Sequence, residues 1–251
     1  MLTSQRKRLI LDVLARDGQV VAKKLSEDLA LSEDTIRRDL RELAAEGLLQ
    51  RVHGGALPAS PTVADLHARR GMAVEAKARL GQAAAGLIEP GQTVIFDGGT
   101  SNAEIVRHLP TDLHFTAITH SPAIAMELEH HAHVDVLLIG GKLFRHSMVA
   151  VGALAMETIS RLRADLFFLG VTGVHEDEGL TTGDMEEAAI KRALIARSAE
   201  TVVLATNDKL GAVSPYLVAK PNEVATLVLL KDAPVATAAR LQQAGATILL
   251  T

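Results

Sequence analysis

Residues Leu31 to Arg51 read LSEDTIRRDLRELAAEGLLQR. At about 100° per residue, Ile36, Leu40 and Leu43 fall on one stripe of a helix, while Arg38 and Arg41 point away and Arg37 sits at the flank. Ser32 is a good N-cap, because its side-chain oxygen can accept a bond from a backbone N–H two or three residues on. Gly47 ends the helix near Glu46. The segment is therefore a short, capped, amphipathic helix with guanidinium groups on its polar face.

The flanking sequence gives that helix a setting. Upstream, Leu9, Ile10, Val13 and Leu14 recur at helical spacing until Asp17-Gly18, and a second helix fits Val21 to Leu29. Downstream, Leu48 to Val52 reads as one strand of a hairpin, with Gly54-Gly55 at or just beyond its returning arm. Residues 1–56 thus form a trihelical unit with a wing. Pro58, Ser60 and Pro61 then interrupt all periodicity, so residues 57–72 are expected to be a linker.

From about Met72 to the end, residues 73–251, short apolar runs alternate with helical patterns. The expected strands are Thr93 to Asp97, Phe115 to Thr119, Val134 to Ile139, Asp165 to Val171, Thr201 to Thr206, Val224 to Leu230 and Ala246 to Leu250. Their near-continuous Val, Ile and Leu content suits strands buried on both faces, as in a mostly parallel sheet covered by helices. The fold class expected is α/β: a small winged helix-turn-helix followed by a larger doubly wound domain.

Composition narrows the chemistry. The 251 residues contain no Cys and no Trp, which excludes disulfides, a thiolate nucleophile and Cys-based metal centres and makes the cytoplasm the expected compartment. Five Phe and Tyr216 are too few for the stacking platforms that bind single strands. No apolar run approaches the ~20 residues that span a bilayer. The net charge of −4 argues against nucleic acid when averaged over the chain. Residues 1–57, however, hold ten Lys plus Arg and nine Asp plus Glu, and the remainder holds 16 and 21, so the deficit lies in the second domain.

A helix with Ser32 and Thr35 in its first turn and arginines one turn later suits the major groove. Hydroxyls and terminal N–H groups reach phosphates, and Arg can bond guanine bidentately. Arg6 before the first helix, and Arg51 with His53 in the wing, would add backbone contacts. The competing reading of the same helix is that Arg37, Arg38 and Arg41 pair with Asp34, Asp39 and Glu42 on a solvated face. The run from Ser32 to Ala56, SEDTIRRDLRELAAEGLLQRVHGGA, closely resembles the winged helix-turn-helix signature of DeoR-family bacterial transcriptional regulators. T-I-R-R-D-L, G-L-L and H-G-G-A occur together at that family's spacing. The resemblance implies double-stranded operator DNA as a partner, with Ser32, Thr35, Arg37 and Arg38 on or near the DNA-facing surface.

In the second domain, Asp97-Gly98-Gly99-Thr100-Ser101-Asn102 follows the first strand and enters a helix, with Ser101 and Glu104 at capping-box spacing. Glycines that let backbone approach, hydroxyls and a helix N-terminus make an anion cradle. A tight turn that needs glycine explains the same spacing. Gly140-Gly141-Lys142 lacks the Ser or Thr of a nucleotide loop, so no cofactor is indicated. Lys191 lies four residues after Glu187 and suits a surface ion pair. Lys209, beside a strand end, is the better phosphate-binding cation. His130, His131 and His133 lack the partners of a recognisable metal set.

The DeoR resemblance extends through this region. It implies a C-terminal domain similar to sugar-phosphate isomerases and CoA-transferases, which binds a phosphorylated sugar or related metabolite without catalysis, and a homo-oligomeric repressor of carbohydrate genes. The effector residues it implies are Asp97, Gly98, Gly99, Thr100, Ser101, Asn102, Thr119, Gly140, Gly141, Gly173, Glu186, Lys191 and Lys209. Two departures from the family pattern are His120 after Thr119, where Asn is common, and Asp208 beside Lys209. The alternative is an isomerase-like enzyme with an added N-terminal module, using Asp97, Glu186 or Glu187 as base.

Overall fold

The computed structural model describes residues 1–60 and 65–251. The N-terminal unit consists of α1 (Thr3–Asp17), β1 (Val20–Val21), α2 (Ala22–Asp28), α3 (Glu33–Ala45), β2 (Leu49–Val52) and β3 (Gly55–Pro58). Strands pair in the order β1-β3-β2, all antiparallel. Ser32 caps α3 as expected, its side chain accepting from Thr35 N at 3.2 Å. Ile36, Leu40 and Leu43 pack with Ile10, Leu14, Leu25 and Leu49 into one small core.

The second unit contains α4 (Leu66–Arg70), α5 (Val74–Ala85), β4 (Thr93–Phe96), α6 (Thr100–Arg107), β5 (Phe115–Thr119), α7 (Pro122–Glu127), β6 (Val134–Leu138), β7 (Lys142–Phe144), β8 (Val149–Val151) and α8 (Ala153–Ser160). There follow β9 (Ala164–Leu169), β10 (Gly173–His175), β11 (Gly179–Thr182), α9 (Met185–Ile195), β12 (Ser198–Ala205), β13 (Tyr216–Ala219), β14 (Thr226–Leu229), α10 (Val235–Gln243) and β15 (Ile248–Leu250). Seven strands form one sheet in the order β15-β14-β12-β9-β4-β5-β6, parallel throughout. These are the seven strands expected from the sequence. Separate apolar clusters cover the two faces, one around Phe96 and Phe168 and the other around Phe167 and Leu169.

The chain leaves β4 toward β5 and β6, then crosses to β9 on the other side of β4. Strand order therefore reverses between β4 and β9, and open α/β sheets bind ligands outside the carboxyl ends of strands at such a point. The small β7–β8 hairpin and the β10-β11-β13 sheet were not expected. Their strands are mostly three or four residues long, too short for alternation to register in sequence.

Part of the expected linker, residues 61–64, lies outside the described residues. On either side the chain is structured. Val213 N donates to Pro58 O at 3.2 Å and Ser60 Oγ to Thr172 O at 2.6 Å, which fastens the wing to the second unit. Asp65 caps α4 through Ala68 N, and Leu66 N donates to His146 O.

Candidate functional site

At the carboxyl ends of β4, β9 and β12 lies a cleft of about 40 Å³. Its floor is set by Asp97, which is fully buried. Gly98 N and His120 Nε2 donate to Oδ1 at 2.7 and 2.8 Å, while Gly170 N and Lys191 Nζ donate to Oδ2 at 2.8 and 2.6 Å. Burial alone would raise this carboxyl, but Lys191 and His120 outweigh it and hold the group well below the usual carboxylate range. Burial would likewise depress the Lys191 ammonium, yet Asp97 and Glu187 keep it above its ordinary value. Gly170 is required here, because a Cβ at that position would sit 2.7 Å from Gly98 O and 3.2 Å from Asp97 Oδ2.

The walls carry an excess of positive charge. Lys209 is half-buried, and burial pushes it down to about 8, with Asp208 opposing and Lys77, Arg69 and Lys191 adding to the shift. Lys77 is buried and also depressed by desolvation. Its Nζ donates to Arg69 O at 2.8 Å and to Met72 O, leaving one of three N–H groups for another acceptor. Arg69 lies among these cations with one terminal nitrogen buried and unpartnered. Ser101 Oγ and Thr206 Oγ1 are buried and unpartnered in the same cleft. Gly99, at a φ of +129° that favours glycine, occupies the N-cap of α6, so Ser101 does not cap the helix as its spacing suggested. Its hydroxyl is left at the cleft together with the first N–H groups of α6.

Of the expected effector residues, Gly98, Gly99, Thr100, Ser101, Asn102, Lys191 and Lys209 line this cleft, with Asp97 beneath them. Asn102 ties β4 to β9, donating to Asp97 O and Phe168 O at 3.1 and 2.9 Å. The structure does not bring the other five into the cleft. Thr119 is buried below, bonding Phe96 O at 2.7 Å. Gly140 and Gly141 lead into the β7–β8 hairpin, where a Cβ on Gly141 would meet Val151 O at 2.8 Å. Gly173 packs against Ala212 O, and Glu186 is exposed with its carboxylate 3.9 Å from Lys142. Lys191 makes no surface ion pair; it is buried between Asp97 and Glu187. Sequence reasoning missed Arg69 and Lys77, the first because it lies in a stretch expected to be a linker and the second because no chemical motif surrounds it.

On the N-terminal unit, Arg37, Arg38, Arg41, Arg51 and His53 are exposed, and Ser32 and Thr35 share a hydroxyl contact of 2.9 Å at the start of α3. Arg37 pairs with Glu33 at 2.7 Å, an exposed contact of small value. Arg38 and Arg41 have no ion-pair partner among the described residues. Of the carboxylates in the competing reading, Asp34 makes no ion pair among the described residues, Asp39 is fully buried against Arg6, and Glu42 contacts Lys7 at 3.2 Å. Arg6 is accordingly corrected from a DNA-facing cation to a structural one. It lies at the fourth position of α1, on the side that packs against α3, and its guanidinium bonds both Asp39 oxygens.

Two family models match the chain: a DeoR-like helix-turn-helix domain over residues 6–62 and a DeoR C terminal sensor domain over residues 72–230. The HTH-type transcriptional regulator GlpR of Haloferax volcanii is 34% identical over 259 residues, covering 99% of this chain and 98% of that protein. The HTH-type transcriptional repressor GlcR of Bacillus subtilis is 32% identical, covering 91% and 88%. The glycerol-3-phosphate regulon repressor of Escherichia coli is 31% identical, covering 84% of each. Among solved structures, the probable sor operon regulator from Shigella flexneri superposes with a TM-score of 0.43 at 13% identity, covering 68% of this chain and 89% of that one. The chain belongs to the DeoR family of helix-turn-helix transcriptional regulators and is a DNA-binding regulator, not an enzyme.

Proposed function

We propose that this regulator represses a carbohydrate operon and that a phosphorylated sugar or related metabolite, bound in the cleft at the ends of β4, β9 and β12, sets its operator affinity. The carrying observation is chemical. Asp97, Glu187, His120 and Lys191 satisfy one another, whereas Arg69, Lys77 and Lys209 face the cleft without a carboxylate of their own except exposed Asp208. A doubly charged phosphate supplies what these cations, the α6 N-terminus and the hydroxyls of Ser101 and Thr206 lack. The Escherichia coli relative is a glycerol-3-phosphate regulon repressor, which supports a phosphate ester as the ligand class.

Operator contacts are assigned to Ser32, Thr35, Arg37, Arg38 and Arg41 on α3 and to Arg51 and His53 in the wing. A near-neutral reading head offers few cations per copy, so the protein is assigned to work in the cytoplasm as a homo-oligomer, a dimer or tetramer on repeated half-sites. Of the ranges 1–56, 57–72 and 73–251 expected for DNA-binding unit, connector and sensor, the first extends through β3 to Pro58 and the third takes in α4, whose Arg69 lines the cleft. Thermal-shift screening against sugar phosphates tests the proposal, because a ligand stabilises the native state in proportion to its affinity and concentration. A wild-type chain stabilised by phosphorylated sugars, and a Lys209→Ala chain that is not, is the expected outcome. Equal stabilisation of both removes Lys209 from the site.

A further inference from the structure

The cleft by itself encloses the phosphoryl end of the ligand assigned to it. A volume of about 40 Å³, at roughly 10–15 Å³ per water-sized occupant, holds a phosphoryl group and not the carbon chain esterified to it. A second cavity of about 500 Å³ adjoins it, and Arg69, Ser147, Thr172 and Glu187 line both. The far wall of that cavity belongs to the DNA-reading unit: Ala44 at the end of α3, Gly47, and Leu49 and Gln50 of the wing.

We infer that the two cavities are one bipartite site, which takes the phosphate of a sugar phosphate longer than a triose in the cradle and its polyhydroxy chain in the space between the two units. This rests on reading the cradle as an anion site. The larger cavity has the right chemistry for a polyol. Phe144 offers an apolar face for the C–H side of a sugar, while Gln50, Thr172 and Glu187 offer hydrogen-bonding side chains for its hydroxyls. Glu187 accepts from Thr182 Oγ1 at 3.2 Å and contacts Lys191 at 3.4 Å, and a carboxylate has about four acceptor sites, so capacity remains. Arg69 stands in the shared wall with an unpartnered nitrogen, placed to contact the ester where it passes from one cavity to the other. The ligand thereby touches α3's end and the wing directly. A bound hexose phosphate favours whichever arrangement of the two units fits around it, whereas free phosphate, confined to the cradle, has no differential contact with the DNA-reading unit.

The test is calorimetry on the full-length protein with inorganic phosphate, glycerol 3-phosphate, fructose 1-phosphate, fructose 6-phosphate and glucose 6-phosphate. The expected result is that at least one hexose phosphate binds about tenfold or more tighter than inorganic phosphate. Gln50→Trp and Ala44→Trp, which fill the cavity from the DNA-reading side, should weaken that hexose phosphate by about tenfold or more while leaving inorganic phosphate within about twofold. Retained phosphate binding also shows that the variants are folded. Tryptophan variants that bind the hexose phosphate as the wild type does overturn the bipartite site, as does a hexose phosphate that binds no tighter than inorganic phosphate. Failure of every anion, inorganic phosphate included, to bind the wild-type chain is a different result, which overturns the anion reading of the cradle itself.

Discussion

Replacing Arg6 by Met separates two roles for one arginine. The guanidinium bonds both oxygens of Asp39, joining residues 33 positions apart, and Asp39 is fully buried at the α1–α3 contact. Two unit charges at about 4 Å interact by roughly 4 kcal/mol at an effective dielectric constant near 20. Removing one partner also strands the other charge, and breaking buried pairs costs about 3–5 kcal/mol. The pair lies at the rim of a small three-helix core, so the lower end, about 3 kcal/mol, is expected for Arg6→Met. Chemical denaturation followed by far-UV circular dichroism measures it on the full chain. The double variant Arg6→Met with Asp39→Leu removes both charges and should recover most of the loss, since well-packed apolar replacements of buried pairs are often neutral. The salt dependence of operator binding by the folded fraction should be unchanged. Stability within about 0.5 kcal/mol of wild type, together with a salt slope smaller by about one charge, would refute the structural role and return Arg6 to the DNA interface.

Other outcomes follow from the same geometry. Arg38→Ala should weaken specific operator binding by about 1–3 kcal/mol through a lost base contact, or lower the salt slope by about one through a lost phosphate contact; a gel-shift series in which neither quantity moves removes Arg38 from the interface. Asp97→Asn leaves Lys191 and His120 buried without their shared anion, and should destabilise the chain by about 3–5 kcal/mol at neutral pH. Because the folded Asp97 carboxyl is held below its unfolded value, its contribution is present above about pH 4 and declines as pH falls further. The gap between variant and wild type should therefore narrow on the acid side, and urea curves showing a constant gap contradict the assignment. Lys209, depressed to about 8, should take up a proton when a phosphate dianion binds near that pH, so the calorimetric heat should vary with buffer ionisation enthalpy. Loss of phosphate affinity is expected as pH rises above that value; heat independent of buffer, in both wild type and Lys209→Ala, rules this out.

The parts of the fold that were legible in sequence are those with repeated local signals. Ser32, Ile36, Leu40, Leu43 and Gly47 state the start, stripe and end of α3 within sixteen residues, and the strands of the parallel sheet are near-continuous apolar runs. The Gly-rich turn after β4 was legible because backbone approach demands glycine. Arg6 was misread because its partner, Asp39, is remote in sequence and because an arginine at a helix start looks solvated until α1 is docked on α3. Gly140, Gly141 and Gly173 were grouped with the cleft since close packing against backbone selects glycine as strongly as ligand approach does. Arg69 and Lys77 carried no readable signal. Their meaning depends on α4 and α5 packing beside α6, with α5 against β12 and β14, which is tertiary information.

The bonds that hold Asp97 leave it without a role as a general base in this cleft. A general base must have a lone pair free at the position of the proton it removes. An ionised carboxylate has about four such sites, and Asp97 already receives four donors: Gly98 N, His120 Nε2, Gly170 N and Lys191 Nζ. Both ring nitrogens of His120 face acceptors, Nδ1 lying 2.9 Å from Ala150 O, so the ring anchors the carboxylate to β8 and leaves no nitrogen for a proton relay. Glu187 is held by Thr182 and Lys191, and Glu186 points to solvent near Lys142. Of the carboxylates an isomerase would require, Asp97 is thus saturated and Glu186 displaced, while Glu187 keeps acceptor capacity for ligand hydroxyls beside Lys191 Nζ at 3.4 Å. The cations around them remain open to an anion. Locking Asp97 in place fixes the Gly98–Gly99 turn and the Gly170 backbone, and with them the mouth of the anion cradle, so the same four bonds that remove basicity supply the rigidity a sensor needs to convert ligand contact into a preferred arrangement of its DNA-reading unit.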